Sequence, residues 1–175
     1  MKFIWDKILR LLKERKEKEA LKSAHYSYLY ARYILKGRFE KGEDIISKYA
    51  CYSCWYALNV LRSRFEKGED IISKSAEHSY YYAREVLKSR FEKGENIISK
   101  SACYSYYYAL DVLKGRFEKG ENIISKSDGY SKLYKKNIYD YTTEKEQKEQ
   151  LEKEIKEVEG LKNSITVHYL YGIEV

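Results

Sequence analysis

Two cysteines, Cys51 and Cys54, form the pattern Cys-x-x-Cys, which supplies half of a common zinc site. Zinc needs two further ligands. The other ligand types fall in the column of Cys51 in a 26-residue repeat, at His25, Glu77 and Cys103. Equivalent residues of neighbouring helical repeats lie roughly 8–10 Å apart, which is too far for one ion. We therefore expect no metal and three free thiols.

No combination of residues indicates a catalytic centre. The three histidines, His25, His78 and His168, have no Ser or Cys nearby in a triad arrangement. The sequence has no Gly-rich phosphate-binding loop, and its paired carboxylates belong to a repeated framework. We expect a protein with no catalytic residues and no cofactor.

The composition indicates a folded, basic chain. Its 175 residues carry a net charge of +7, and 43% of them are hydrophobic, which is too many for a disordered chain. The positive charge permits contact with phosphates or with an acidic protein and demands neither. The odd number of cysteines favours a reducing compartment, and no apolar run reaches membrane length. We expect a cytoplasmic protein with no membrane contact.

The segment RFEKGENIISK at residues 90–100 occurs again at 116–126, and with Asp in place of Asn at 38–48 and 64–74. The period is therefore 26 residues, and such self-similarity is the signature of a repeat fold. Positions within a unit are numbered from its first residue. The units begin at Ser23, Tyr49, Ser75 and Ser101, and a degenerate fifth unit begins at Ser127.

The first half of each unit predicts a helix, called helix A here. Positions 5, 8, 9 and 12 hold Ser, Tyr, Ala and Ile or Val, at the i, i+3, i+4, i+7 spacing of one helical face, which we expect to form the core. Ser at position 1 of most units is a natural N-cap. We expect helix A to run for about 13 residues and to end at the Gly or Ser of position 15.

The second half of each unit predicts a shorter helix B with Phe and two Ile on its apolar side. Ser63 and Glu66, and again Ser89 and Glu92, have capping-box spacing. Gly at position 20 of every unit suggests close packing or a bend. Because neither helix can bury its apolar face alone, we expect an all-α, right-handed or superhelical α-solenoid of four helix-turn-helix units with capping helices at both ends.

The segments outside the four units, 23–126, have different expected roles. Residues 1–22 predict an amphipathic capping helix with Phe3, Ile4, Ile8, Leu11 and Leu12 on one side; a helix lying on a membrane surface is the alternative. Residues 127–142 are the degenerate fifth unit. Residues 143–175 predict a charged helix followed by a β-prone tail, ITVHYLYGIEV, which would fold over the last unit or pair with a second chain in a homo-oligomer.

Arg at position 16 and Glu at position 21 form two ladders through the four units. A row of arginines can follow a phosphate backbone. However, every Arg has an acidic residue in its own unit, so we favour internal Arg–Glu pairing.

Positions 3, 7, 10 and 14 lie on the side of helix A opposite the predicted core. Positions 7 and 10 vary between units yet keep large side chains, which is typical of a binding surface. Packing against a neighbouring hairpin is an equally good interpretation. The candidate partner-binding residues are Arg32, Trp55, Leu58, Tyr81, Arg84 and Tyr107.

The run HSYYYAREVLKSRFEKGE, from His78 to Glu95, resembles short helical repeats of bacteriophage and prophage proteins. Their units read approximately Asp-Pro-x-x-Ala-Tyr-x-Tyr-Ala-x-x-Val-Leu-x-Gly-Arg-Phe/Trp-Pro-x-x-Glu. The resemblance covers about residues 23–140 and departs from the pattern at both prolines and at the Ser of position 5. It implies a phage or mobile-element source and carries no activity onto particular residues. The matching residues are Tyr80, Tyr82, Ala83, Val86, Leu87, Arg90, Phe91 and Glu95.

These observations favour a binding protein without turnover. Together with the resemblance, they suggest a phage-encoded protein that docks on a host protein, for example as an inhibitor of a defence system such as CRISPR. The alternative is a module that binds RNA or single-stranded nucleic acid with its basic and Tyr/Trp-rich surface.

Overall fold

The computed structural model of the chain describes residues 13–171, and all its regular structure in that range is helical. The α-helices are α1 (13–20), α2 (Ala24–Leu29), α3 (Glu40–Ile46), α4 (Ala50–Tyr56), α5 (Glu66–Ile72), α6 (Ala76–Tyr81), α7 (Glu92–Ile98), α8 (Ala102–Tyr107), α9 (Glu118–Ser125), α10 (Asp128–Tyr134) and α11 (Asp140–Tyr171). The even-numbered helices from α2 to α10 begin helix A of successive units, and α3, α5, α7 and α9 are helix B.

The hairpins stack in two layers, which confirms the expected all-α solenoid. Within each unit helix A packs against helix B. Between units α2 packs on α4, α4 on α6, α6 on α8 and α8 on α10, while α5 packs on α7 and α7 on α9. The buried Tyr, Ala, Phe and Ile side chains of all units form one continuous core between the layers.

The start of helix A follows the sequence prediction. The Oγ atoms of Ser23, Ser75 and Ser101 accept hydrogen bonds from the backbone N–H three residues further on. These bonds satisfy donors that a helix leaves free at its first turn. Tyr49 stands at the same position without a side-chain cap.

The second half of helix A differs from the expectation, because it is π-helical. The π segments are Tyr30–Leu35, Ala57–Leu61, Tyr82–Leu87, Tyr108–Leu113 and Lys135–Tyr139. A π-helix bonds residue i to i+5 instead of i+4, so a face spaced for an α-helix rotates away from its neighbour. Position 12 therefore belongs to the core only in part: Ile34 is 50% exposed, its counterparts in the next three units are half-buried against the core, and Ile138 is buried.

Helix A also ends one residue earlier than predicted, at a left-handed residue at position 14. Lys36, Arg62, Lys88 and Lys114 have φ of 50–53°, a conformation in which Gly is the usual residue. The Gly or Ser at position 15 follows this residue. Its N–H donates to the carbonyl of the Ala at position 9 at 3.1–3.3 Å, which satisfies an acceptor at the end of the helix.

Helix B does not use the predicted capping boxes. It begins at the Glu of position 18, and the Phe before it has no side-chain cap. The close packing expected at the glycine is confirmed. A Cβ on Gly94 would lie 2.6 Å from Cδ1 of Phe91 and 2.6 Å from Cβ of Ser79, so only Gly fits between helices A and B.

The N-terminal helix occupies the place of a helix B one repeat before the first unit. Ala20 stands 26 residues before Ile46. The carbonyl of Ala20 accepts the Ser27 hydroxyl at 2.8 Å, and the carbonyl of Ile46 accepts the Ser53 hydroxyl at 3.0 Å. The cap is thus a half unit in register with the repeat. Its predicted apolar residues Phe3, Ile4, Ile8, Leu11 and Leu12 lie outside the described residues.

At the other end, the fifth unit keeps helix A and then continues straight into α11. The charged helix expected from residue 143 onwards is confirmed, with Leu151, Ile155 and Val158 exposed along it. The expected β-strand in the tail is wrong as far as Tyr171, because the helix extends to that residue. The last four residues, 172–175, lie outside the described range.

Replacing Gly94 by Ala should lower the free energy of unfolding by about 1–3 kcal/mol, because the new methyl group overlaps Phe91 and Ser79. Gly129→Ala is the matched control, since a Cβ there meets nothing within 4 Å. The control should leave stability unchanged or raise it by up to about 1 kcal/mol. Urea denaturation of the two variants measures both effects, and equal stabilities would contradict the close packing.

Candidate docking face

One hydrogen-bonded group, called the junction node here, fixes the helices behind the face. The hydroxyl of Tyr82 accepts the backbone N–H of Phe65 at 2.8 Å and donates to Oε1 of Glu69 at 3.1 Å. Arg64 donates to the two oxygens of the same carboxylate at 2.6 and 2.9 Å. The same four groups recur around Tyr56, Tyr108 and Tyr134.

The node confirms the predicted Arg–Glu pairing. The Arg64 side chain is partly exposed, but its fork is bound to a carboxylate that is fully buried at Glu69. Lysines of the next unit add to this charge balance: Lys119 lies 2.9 Å from Glu95. The arginine ladder is thus part of the framework, because Nε and Nη2 of each Arg are bound to the Glu of the same unit.

Burial changes the pKa values of the groups in the node. It raises the pKa of Tyr56, Tyr108 and Tyr134 to about 12. At Glu95 burial acts in the opposite direction from the hydrogen bonds of Arg90 and Lys119, but those bonds prevail and the pKa is lowered. The node therefore holds a neutral phenol next to a charged carboxylate over a wide pH range.

Aromatic side chains at positions 4, 6 and 7 cover the outer side of helix A; we call them the aromatic face. Their rings touch between units: the centroids of Tyr28 and Trp55 lie 6.1 Å apart, and those of Tyr80 and Tyr107 also 6.1 Å. Such pairs hold large rings in place. The members are Tyr28, Tyr52, Trp55, Tyr80, Tyr81, Tyr104, Tyr106, Tyr107 and Tyr130.

The aromatic face has a buried base and an exposed rim. At position 6, Tyr80 and Tyr106 are buried. At position 7, Trp55 is 45% exposed, and Tyr81 and Tyr107 are each 39% exposed. The rim residues therefore keep a large apolar area in contact with solvent while their positions are fixed from below.

The structure places the predicted position-10 residues beside this face with two different roles. Leu58 is half-buried, as is its counterpart in the fourth unit. Arg32 and Arg84 are exposed residues, and each donates to the Tyr hydroxyl four residues earlier. The candidate residues thus lie on one side of the stack, with Arg84 also 5.6 Å from the ring centroid of Tyr81.

Sequence reasoning missed the polar contacts that join units beneath the rim. The hydroxyl of Tyr80 donates to Asp111 of the next unit, and Asn137 donates to the hydroxyl of Tyr106 at 2.8 Å. Arg84 lies 2.6 Å from Glu85 and 3.5 Å from Asp111. Tyr at position 6 of three units was the available signal, since a buried Tyr needs a partner for its hydroxyl.

The Cys-x-x-Cys pair is part of helix α4. Cys54 is buried, its thiol points to the carbonyl of His78 at 3.8 Å, and burial raises its pKa to about 12. Cys51 is half-exposed. Within residues 13–171, no group of three or more His, Cys, Asp or Glu side chains is arranged to hold a metal ion.

No helix in this part of the chain is long and apolar enough to cross a membrane.

Compared with protein-family models, with curated proteins and with solved structures, the chain matches none at a significant level.

Removing one node hydroxyl, by Tyr82→Phe, should lower the free energy of unfolding by about 1–3 kcal/mol, because the buried Phe65 amide loses its acceptor. Tyr30→Phe is the matched control. Tyr30 is the equivalent residue of the first unit, and its buried hydroxyl has no partner among the described residues. Denaturant titration should show no loss for the control; equal losses would mean that the hydroxyl bonds contribute nothing.

The node also predicts the pH dependence of stability. A Tyr whose folded pKa is raised stabilises the fold below the unfolded pKa of about 10, and this contribution is lost as the pH rises towards 12. The lowered pKa of Glu95 and Glu121 acts at the other end, where stability is lost as the pH falls below about 4.3. Melting temperatures across the pH range, with tyrosinate absorbance, measure both limits. Ionisation of all tyrosines near pH 10 without unfolding would contradict the buried node.

Proposed function

We propose that this protein is a non-enzymatic helical-repeat protein that docks on another protein through the aromatic face. The observation that carries the proposal is the rim formed by Trp55, Tyr81 and Tyr107, residues that are 39–45% exposed on helices packed against their neighbours. Aromatic side chains that are fixed before binding lose little conformational freedom in a complex, and Trp and Tyr dominate the binding energy of protein interfaces.

The charge around the rim favours a protein over a nucleic acid. Arg84 is neutralised by Glu85 and Asp111, and the framework arginines are bound to buried carboxylates. A phosphate backbone lying across the face would meet these acids. A protein surface with mixed charges and an apolar centre fits the arrangement better.

The resemblance to phage and prophage repeats supports a source in a bacteriophage or mobile element. The partner would then be a host protein in the cytoplasm of an infected or lysogenic cell. A component of a defence system, such as a CRISPR effector, is the class of partner that best fits a small binding protein without catalysis. Inhibition would follow from steric blocking by the docked solenoid.

The Trp55→Ala, Tyr81→Ala double variant tests the face. Once a partner is captured from host lysate with nuclease present, the double variant should bind it more weakly by about 2 kcal/mol or more. Leu151→Ala removes an exposed apolar side chain far along α11 and should bind normally. Helical content and melting temperature of all variants show whether the fold is intact.

Salt dependence separates the two classes of partner. For a protein partner, affinity should change modestly with salt, whereas a nucleic acid would show a steep, log-linear decrease as counterions are released. Normal binding by the double variant would place the contact elsewhere, on the N-terminal basic helix or on the C-terminal segment. Capture that disappears after nuclease treatment would favour the nucleic-acid alternative.

A further inference from the structure

A polar groove lies between the first two units, at the end of the stack where helix A finishes. Its volume is about 650 Å³. The residues that line it are Ala31, Arg32, Tyr33, Lys36, Gly37, Leu58, Asn59, Val60 and Arg62. Three of these carry positive charge and none is acidic, so the groove has a concentrated positive potential.

The three cations are available to a ligand. Arg32, Lys36 and Arg62 are all exposed. Within the part of the chain that the structure describes, Arg32 donates only to the hydroxyl of Tyr28, and the two others make no ion pair. Asn59 and the 59%-exposed Tyr33 add uncharged polar groups to the same groove.

Two of these cations stand at the left-handed residue that ends helix A, where all four units have Lys or Arg. Lys36 and Arg62 both have φ of 53°, where Gly is the residue of lowest strain. A side chain in this conformation costs free energy that Gly would not. A cation near the C-terminus of a helix is favourable at every unit, so the first groove differs from the others in the absence of acidic residues around its cations.

The repeat itself provides a comparison, because the same six positions (10, 11 and 14 of both units) recur at every junction. The first groove has three cations and no acidic residue, and the second has three cations and one acidic residue. The third has three cations and two acidic residues, and the fourth has two of each. Glu85 and Asp111 are the acidic residues of the second and third grooves, and both already pair with Arg84. The acidic residues that enter these columns are Glu85, Asp111 and Asp140.

We propose that this first groove binds a compact oxyanion, namely the carboxylates of an acidic segment on the docked partner. The assignment rests on the proposed docking function and adds to it a fixed polar anchor beside Trp55, whose carbonyl accepts the Asn59 amide at 3.1 Å. An extended polyanion running along the stack would meet acidic side chains after this groove. A short acidic segment would not, so carboxylates of a peptide fit the charge pattern and a nucleic acid does not.

The test uses a fluorescent tetraglutamate peptide and the full chain with Lys36→Gly and Arg62→Gly. Both positions suit Gly, so the variant should melt at or above the temperature of the parent protein. Its affinity for the peptide should decrease by at least about tenfold, since two charge-assisted contacts are lost. Lys114→Gly is the matched control, because it removes the same charge at φ of 50° from the acid-containing grooves and should keep the affinity within about twofold.

A second variant tests the groove from the opposite direction. Asn59→Asp gives the first groove the acid that Asp111 gives the third, and should weaken peptide binding without removing a cation. An equal loss for Lys114→Gly would overturn the proposal in favour of diffuse charge. Tighter binding of single-stranded DNA, weakened equally by all these glycine variants, would also overturn it. If the peptide fails to bind while the Trp55 and Tyr81 variant still loses its partner, the groove is wrong and the docking face stands.

Discussion

The hydroxyl of Tyr82 accepts a hydrogen bond from the Phe65 amide and donates one to the Glu69 carboxylate, and three more junctions repeat this geometry. Each contact joins residues 17 and 13 positions apart, so it links one unit to the next. The Phe amide is the first donor before helix B, and burying it without a partner would be unfavourable. The fold thus depends on a polar bond inside an aromatic core. Tyr30, which follows only the N-terminal half unit, has no such bond among the described residues.

The repeated columns explain why much of this architecture was predictable. Identical residues at Gly94 and its counterparts indicated close packing, and an Arg and a Glu in every unit indicated their pairing. The capping boxes at Ser63 and Ser89 were wrong because the relevant partner of the Phe amide lies in the next unit, where local spacing cannot reveal it. Local rules describe a helix end by its own neighbours, and here a long-range bond takes their place.

Other features of the structure left no recognisable pattern in the sequence. The change from α- to π-helix at Tyr82 occurs in a run of ordinary helix-forming residues, yet it turns Val86 partly out of the core. The left-handed Lys88 was hidden because a Gly or Ser follows it in every unit. The N-terminal half unit was also hidden, since Lys13 and Lys16 stand where a true helix B has Phe and Gly. At the candidate face, sequence variation identified the exposed rim, but the bond from Tyr80 to Asp111 required the stacked structure.

The residue types at position 10 have a longer period than the backbone repeat. Arg32, Leu58, Arg84 and Leu110 alternate, so this column repeats every two units while the framework repeats every 26 residues. A rigid partner moved by one unit would find the same shape with a cation exchanged for an aliphatic side chain. Moved by two units, it would find the cation again, but now paired with Glu85. A uniform repeat surface could be bound in several registers. The alternation at position 10 makes these registers chemically different, so a partner can distinguish one unit of the solenoid from the next.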